Sequence, residues 1–242
     1  MTAPARSTAE VPAHQGVLRT APPSEGATRI VLVRHGEAVC NVSKVVGGVG
    51  GCQGLTDLGR RQVAALADRL YESGELRSAS ALYASVLPRA VETAERLRPV
   101  VGAGPRALGD IRQTCDLCEL HPGQADAMEW DDVLTTFGLP DFDHEPDRPI
   151  APEGESWNGF VARASGALRR LAHAHPGELV VAAVHAGVIE ASLLAFLGIA
   201  PHHARRGWVR ITHASLTEWE WRPESERWTL VRFNDACGVP RS

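Results

Sequence analysis

Ile30-Val31-Leu32-Val33-Arg34-His35-Gly36-Glu37 is a strand-like apolar run that breaks into a cation, an imidazole and a glycine. The same form returns far downstream, where Leu179-Val180-Val181-Ala182-Ala183-Val184 runs into His185-Ala186-Gly187. In an open α/β sheet, ligands bind beyond the carboxyl ends of the parallel strands, so residues just after such strands face one crevice. The two segments therefore predict that His35 and His185 meet over a single substrate.

Around them the chain alternates between strand and helix signals. Thr56 predicts an N-cap for a helix to about Ser73, with Val63, Leu66 and Leu70 on one face and Gly74 as its stop. Leu82-Tyr83-Ala84 reads as a short strand, and a helix from about Leu87 to Arg98 ends before Pro99. A longer helix is expected from Ser156 to Ala174, because Trp157, Phe160, Val161, Ala164, Leu168 and Leu171 recur at helical spacing. Another should run from Gly187 to Leu197. Leu216 to Trp221 and Trp228 to Phe233, joined by a polar turn, read as an antiparallel pair. The fold class is α/β with a mixed sheet.

Two stretches depart from this rhythm. Residues 1–28 are rich in Ala, Pro, Ser and Thr without an apolar segment and read as a disordered tail. Residues 110–150 hold 11 acidic residues against Arg112 and Arg148, with weak periodicity, and read as a segment inserted over the sheet edge.

Bulk properties narrow the function. A chain of 242 residues with 44% hydrophobic content can bury one domain's core. Its net charge of −4 and lack of like-charge blocks give no footprint for nucleic acid or an anionic membrane. No apolar stretch is long enough to span a bilayer. Five scattered cysteines suit a reducing, cytoplasmic setting better than a disulfide framework. Cys115 and Cys118 have C-x-x-C spacing, but no second pair completes a zinc site, so partly buried thiols are the ordinary reading. His202-His203 and His173-x-His175 read as surface histidines. Lys44 is the sole lysine, so abundant arginine by itself marks no site.

The chemistry gathers around His35. Arg34 adds a fixed cation, Asn41 an amide donor, and Ser85-Val86-Leu87-Pro88-Arg89-Ala90, again just after a short strand, a second guanidinium from Arg89. Guanidinium groups grip phosphate oxygens bidentately and stay charged at any working pH, so these groups compose an anion pocket. A neutral imidazole is also a competent nucleophile near pH 7, whereas a hydroxyl would need a separate base.

Leu32-Val33-Arg34-His35-Gly36-Glu37 with Asn41, Gly54-Leu55-Thr56-Asp57-Leu58-Gly59, and Ser85 through Ala94 together resemble the histidine phosphatase, or phosphoglycerate mutase-like, superfamily. Leu117-Cys118-Glu119, Gly154-Glu155-Ser156 and Val184-His185-Ala186-Gly187 follow in the family's order. The resemblance covers about residues 29 to 235. It implies a three-layer α/β/α sandwich over residues 29–238, with residues 110–155 inserted over the active site.

It further implies a two-step phosphoryl transfer that needs no metal or other cofactor. His35 matches the family's phosphohistidine, and Arg34, Asn41, Arg89 and His185 match its phosphate-holding positions. Glu119 matches its general acid, with Asp116 the rival carboxylate nearby. The sequence departs from the family at Ala38, where Ser or Thr is usual, and at Ala186, where glycine is commoner. Glu155 and Ser156 match a family motif but read as the opening of a helix, where acidic residues favour the dipole.

The stretch Glu119 to Asp126 lacks the basic and aromatic block that follows the acid in cofactor-dependent phosphoglycerate mutases. A phosphomonoester phosphatase is therefore expected, with a mutase-type enzyme or a non-catalytic phosphate-ester binding module as alternatives. The expected partner is a small phosphate ester, with a neutral or cationic leaving group if the acidic segment covers the site. Trp130 would serve packing or stack on a substrate ring. Alternating Thr217, Trp219 and Trp221 suit either a core face or the pairing of two subunits as a homodimer.

Overall fold

Six strands, β1 (Thr28–Arg34), β2 (Ala81–Ala84), β3 (Arg112–Gln113), β4 (Leu179–Val184), β5 (Leu216–Arg222) and β6 (Arg227–Asp235), form one sheet in the order β3-β2-β4-β1-β5-β6. The computed structural model describes residues 24–104, 108–199 and 209–240. Nearly all of the N-terminal stretch read as a tail, and His202-His203, lie outside them. β3, β2, β4 and β1 run parallel, while β5 and β6 are antiparallel additions.

All six residues of β4 are buried, because helices cover both faces of a parallel sheet. That is why β1 and β4 appear in the sequence as unbroken apolar runs. The helices are α1 (Val39–Ser43), α2 (Asp57–Ser73), α3 (Pro88–Leu97), α4 (Trp130–Phe137), α5 (Trp157–Ala174) and α6 (Ala186–Phe196). One core joins Val31, Val33, Leu82 and Val181 to Val63, Leu66 and Leu70 of α2 and Ala94 and Leu97 of α3. The other joins Ile30, Leu32, Ala182 and Trp219 to Phe160 and Leu168 of α5 and Val188 and Ile189 of α6. Helices, sheet and helices make the three expected layers. Each fully buried Leu or Phe contributes about 1.5–3 kcal/mol relative to exposure.

The helix boundaries read in the sequence form, and Ser156, read only as the opening of α5, proves to be its N-cap. Thr56 Oγ1 accepts the Gly59 N–H and Ser156 Oγ the Gly159 N–H, satisfying donors that the first turns leave free. Gly74 closes α2 in the left-handed conformation at φ +65°.

Several expectations need correction. His175 is not a surface residue: it ends α5 buried, with Nε2 3.0 Å from the Tyr83 hydroxyl and Nδ1 2.7 Å from Glu178. Its partner in the motif, His173, is exposed and lies edge-on to Trp221. The Trp219 and Trp221 face is interior, covered by helices of the same chain, and the edge strand is β6. Of the two readings of this face, the structure shows the core one. The 110–150 stretch contains α4, whose one buried residue, Val133, leaves too weak an apolar stripe to read. Val133 packs with Val46, Ala125, Ile150 and Ala151 in a small core of its own. Trp130 opens α4 and remains 39% exposed, so core packing does not account for it.

Trp219 is fully buried, edge-on to Phe196 at 5.2 Å, and its Nε1–H donates to Ser192 Oγ at 3.0 Å. Trp219→Ala leaves a large cavity and removes that bond's donor. It should cost about 3–5 kcal/mol of stability in urea unfolding; a loss below about 1 kcal/mol would mean that the two antiparallel strands are not part of the cooperative core.

Candidate functional site

The pairing of β1 with β4 sets Arg34 opposite Val184, so the residues after both strands emerge side by side. The His35 N–H continues the ladder to Val184 O at 3.0 Å, and the Ser85 N–H does the same to Ala183 O at 3.1 Å. Both imidazoles are buried, with ring centroids 5.1 Å apart. Arg89, buried in the first turn of α3, donates from Nε to His35 Nε2 and to His185 Nδ1, each at 3.2 Å. Its Nη1 is anchored on Gly47 O at 2.6 Å, which ties the glycine-rich loop to the site.

These contacts fix the protonation of both rings. His35 Nδ1 lies 2.7 Å from Gly36 O, and a carbonyl only accepts, so Nδ1 carries the proton and Nε2 is left with its lone pair. His185 accepts from Arg89 at Nδ1, so its Nε2–H faces Ser85 Oγ at 2.8 Å. Burial, reinforced by Arg89, holds the His35 pKa well below the usual histidine value, and neighbouring His185 and Arg34 push the same way. Burial, Arg89 and Arg34 do the same for His185. The ring is neutral here, so the positive charge in the site comes from the arginines.

Arg34 is pushed down to about 10 by burial, still cationic at neutral pH. Its Nη1 donates to Ile211 O, while its Nε is buried without a partner and remains able to serve a ligand. Asn41 stands at the exposed margin in α1, where its Oδ1 accepts the Ala38 N–H at 3.0 Å and leaves the amide nitrogen as its donor end. Gly36 is required by packing, because a Cβ there would lie 2.5 Å from Gly59 O in the first turn of α2.

Glu119 reaches the same cluster from another direction. Its Oε2 accepts the Gly187 N–H at 3.1 Å, two residues beyond His185, and its Oε1 accepts the Leu120 N–H at 3.2 Å. A carboxylate at the opening of α6 is favoured by the helix dipole. Gly187 makes room for it, since a Cβ there would lie 2.1 Å from Glu119 Oε1. Asp116 instead pairs with Arg170 at 2.7 Å on the surface and does not join the cluster.

The turn carrying Glu119 is held by Arg163. Its guanidinium donates to the carbonyls of Cys115, Asp116, Cys118 and Glu119. Glu155 in turn grips Arg163 with two bonds, at 2.9 and 2.7 Å. Glu155 precedes the N-cap of α5, so its part is to brace Arg163, where the sequence suggested a favourable helix-dipole contact. His213 also went unread. Its ring lies 5.8 Å from that of His35 and its Nε2 is buried without a partner. Burial, with Arg34 beside it, pushes it down to about 3.

Fold and site together define an α/β enzyme whose paired histidines and arginines form a buried, cationic floor. A family model of the histidine phosphatase superfamily (branch 1) matches residues 30–236, and the chain belongs to that superfamily, among the phosphoric monoester hydrolases. It is 31% identical over 179 residues to the metal-independent phosphoserine phosphatase of Arabidopsis thaliana, a match covering 69% of this chain and 68% of that one. It is also 31% identical over 163 residues to phosphoglycerate mutase-like protein 4 of the same plant, covering 66% and 67% of the two chains. The solved structure of Bacillus stearothermophilus YhfR superposes with a TM-score of 0.72 at 28% identity, over 88% of this chain and 100% of that one. Among the described residues no helix is long and apolar enough to cross a membrane.

Proposed function

We propose that this chain is a phosphomonoester phosphatase that works without a metal through a phosphohistidine on His35, with Glu119 as acid and then base. The observation that carries the reading is the His35 ring itself. Its Nδ1–H is held by Gly36 O, and its Nε2 lone pair lies beside Arg89 and His185.

In the first step the phosphoryl group sits against Arg34, Arg89, His185 and Asn41. Nε2 forms a bond to phosphorus as the ester P–O bond breaks, and Glu119 gives its proton to the departing oxygen. In the second, Glu119 takes a proton from water, the water oxygen attacks phosphorus, and the N–P bond breaks to release inorganic phosphate and neutral His35. The guanidinium groups supply the charge stabilisation that dominates phosphoryl transfer.

The substrate we infer is a small monophosphate ester, with an amino-bearing one such as phosphoserine the first to try. Similarity to a phosphoserine phosphatase supports it. The acidity of the 110–155 segment does not, because Asp116, Asp126, Asp141, Glu145 and Asp147 all have local partners. We assign that segment to one wall of the site, since it supplies Glu119 and its Asp126 accepts the Gly50 and Gly51 N–H groups of the loop that anchors Arg89. Five free cysteines favour a reducing, cytoplasmic compartment.

The test is phosphate release from a panel of monophosphates in excess chelator, with mass spectrometry of the acid-sensitive, base-stable enzyme adduct. Turnover with the phosphoryl group on the His35 peptide is expected. An adduct elsewhere, transfer between positions of phosphoglycerate without phosphate release, or the best efficiency on a polyphosphorylated compound would each overturn part of the proposal.

A further inference from the structure

Beside the phosphate pocket lies a second cluster that the reaction does not use. Cys115 Sγ, Cys118 Sγ and one ring nitrogen of His121 all fall within 4.8 Å of one another. Cys115 and Cys118 begin and cap one turn of 3-10 helix, and because that helix has 3 residues per turn their side chains stack on one side. The third group comes from the extended run after the turn, which brings His121 Nε2 to 3.3 Å from Cys115 Sγ. Sequence spacing alone lacked a partner for the C-x-x-C pair, and His121 is that partner.

We propose that Cys115, Cys118 and His121 form a binding site for a soft divalent cation of the zinc class, which clamps the turn carrying Glu119. Two sulfurs and an imidazole nitrogen are the donor set zinc prefers. Ordinary Zn–S and Zn–N bond lengths in a tetrahedron put sulfur and nitrogen about 3.5 Å apart, close to the separation already present, so the sulfur–nitrogen edge needs little rearrangement.

The surroundings suit that use. Glu155 Oε2 lies 3.8 Å from His121 Nδ1, the ring nitrogen that would not bind metal, and a carboxylate there orients a ligating histidine. Arg163 already holds the backbone carbonyls of Cys115 and Cys118, so the ligands start from a rigid frame. Cys115 is exposed and gives the ion a way in, while Cys118 is buried at the inner end. Three protein ligands leave a fourth position for water. Binding displaces the two thiol protons as the thiolates coordinate the ion, so uptake strengthens as pH rises.

The experiment uses the full chain, metal-stripped and kept reduced with a phosphine, titrated with Zn²⁺ against a chromophoric chelator and, separately, with Co²⁺. One equivalent should bind, Co²⁺ should show thiolate charge-transfer and tetrahedral d–d absorption, and amides of residues 114–121 should exchange more slowly with zinc. Cys115→Ser and His121→Ala should each weaken binding at least about 100-fold. Cys40→Ser with Cys52→Ser should leave it intact. Absence of stoichiometric uptake by the folded wild-type chain, or uptake undiminished in Cys115→Ser, overturns the site. Because binding is read without substrate, this result stands apart from that of the phosphatase assay.

Discussion

His35→Ala is expected to lower phosphate release by about 10⁴-fold or more, the scale of loss when a covalent nucleophile is removed, while affinity for the ester changes only several-fold. The asymmetry follows from the geometry. The groups that would grip the phosphate, Arg34, Arg89 and His185, keep anchors on Ile211 O, Gly47 O and Ser85 respectively when the Arg89 bond to the His35 ring is lost. Initial rates and equilibrium titration of the ester separate the two quantities. Residual turnover above about one part in 100 would remove His35 from the nucleophile's role.

The pH behaviour of the same ring has a definite sign. His35 and His185 have folded pKa values well below the ordinary 6.5, and His213 about 3, with burial the first cause in each. Protonation of the nucleophile therefore does not limit activity at pH 6.5 and above. Below 6.5 the unfolded chain takes up protons that the folded chain refuses, so stability is full above that value and falls as pH drops toward the folded pKa values. An acid limb in activity near pH 6 belongs to the second ionisation of the phosphate ester, whose ordinary value is about 6.

Parts of this site are legible in the sequence because their signals are local. β1 and β4 are apolar runs bounded by glycine, and a parallel pairing without offset brings His35 beside His185 with no further information. Thr56, Ser156 and Gly74 cap their helices through contacts spanning only a few residues. Glu119 is of another kind. Nothing within its own turn marks it out from Asp116, because what orients the turn is Arg163, far downstream on α5, itself held by Glu155. Only the family resemblance pointed to it.

His213 gave no signal at all. It lies in an irregular stretch, placed by the Ala214 N–H donating to Arg34 O at 3.0 Å, with Ala214 in the left-handed region at φ 52°. Such a conformation costs a non-glycine residue of the order of 1 kcal/mol. The acidic stretch is legible only as charge density, because the partners of Asp110, Asp116, Glu145 and Asp126, namely Arg98, Arg170, Arg148 and the Gly50 and Gly51 amides, are assigned only by folding.

Gly187→Ala should separate the two steps of the reaction without disturbing the fold. The added methyl would sit 2.1 Å from Glu119 Oε1 and 2.9 Å from the Phe160 ring, and α6 fixes the backbone beneath it, so the carboxylate must leave its seat. The helix itself is not weakened, because alanine has a better helix propensity than glycine by about 1 kcal/mol. Crowding against the buried Phe160 ring should cost about 1–3 kcal/mol of stability, which leaves the chain folded under assay conditions. Loss of a positioned acid and base costs about 10²–10⁴-fold, so release from alkyl phosphates should fall on that scale. An aryl phosphate departs without a proton, so its first turnover should survive as a burst of one aryl alcohol per enzyme, followed by slow release while the phosphohistidine waits for an activated water. Glu119→Gln should behave in the same way. A uniform loss in burst and steady state would place the damage in phosphate binding, whereas unchanged kinetics would mean that the carboxylate works from a position other than the α6 N–H, and either result would refute the seat assigned to it.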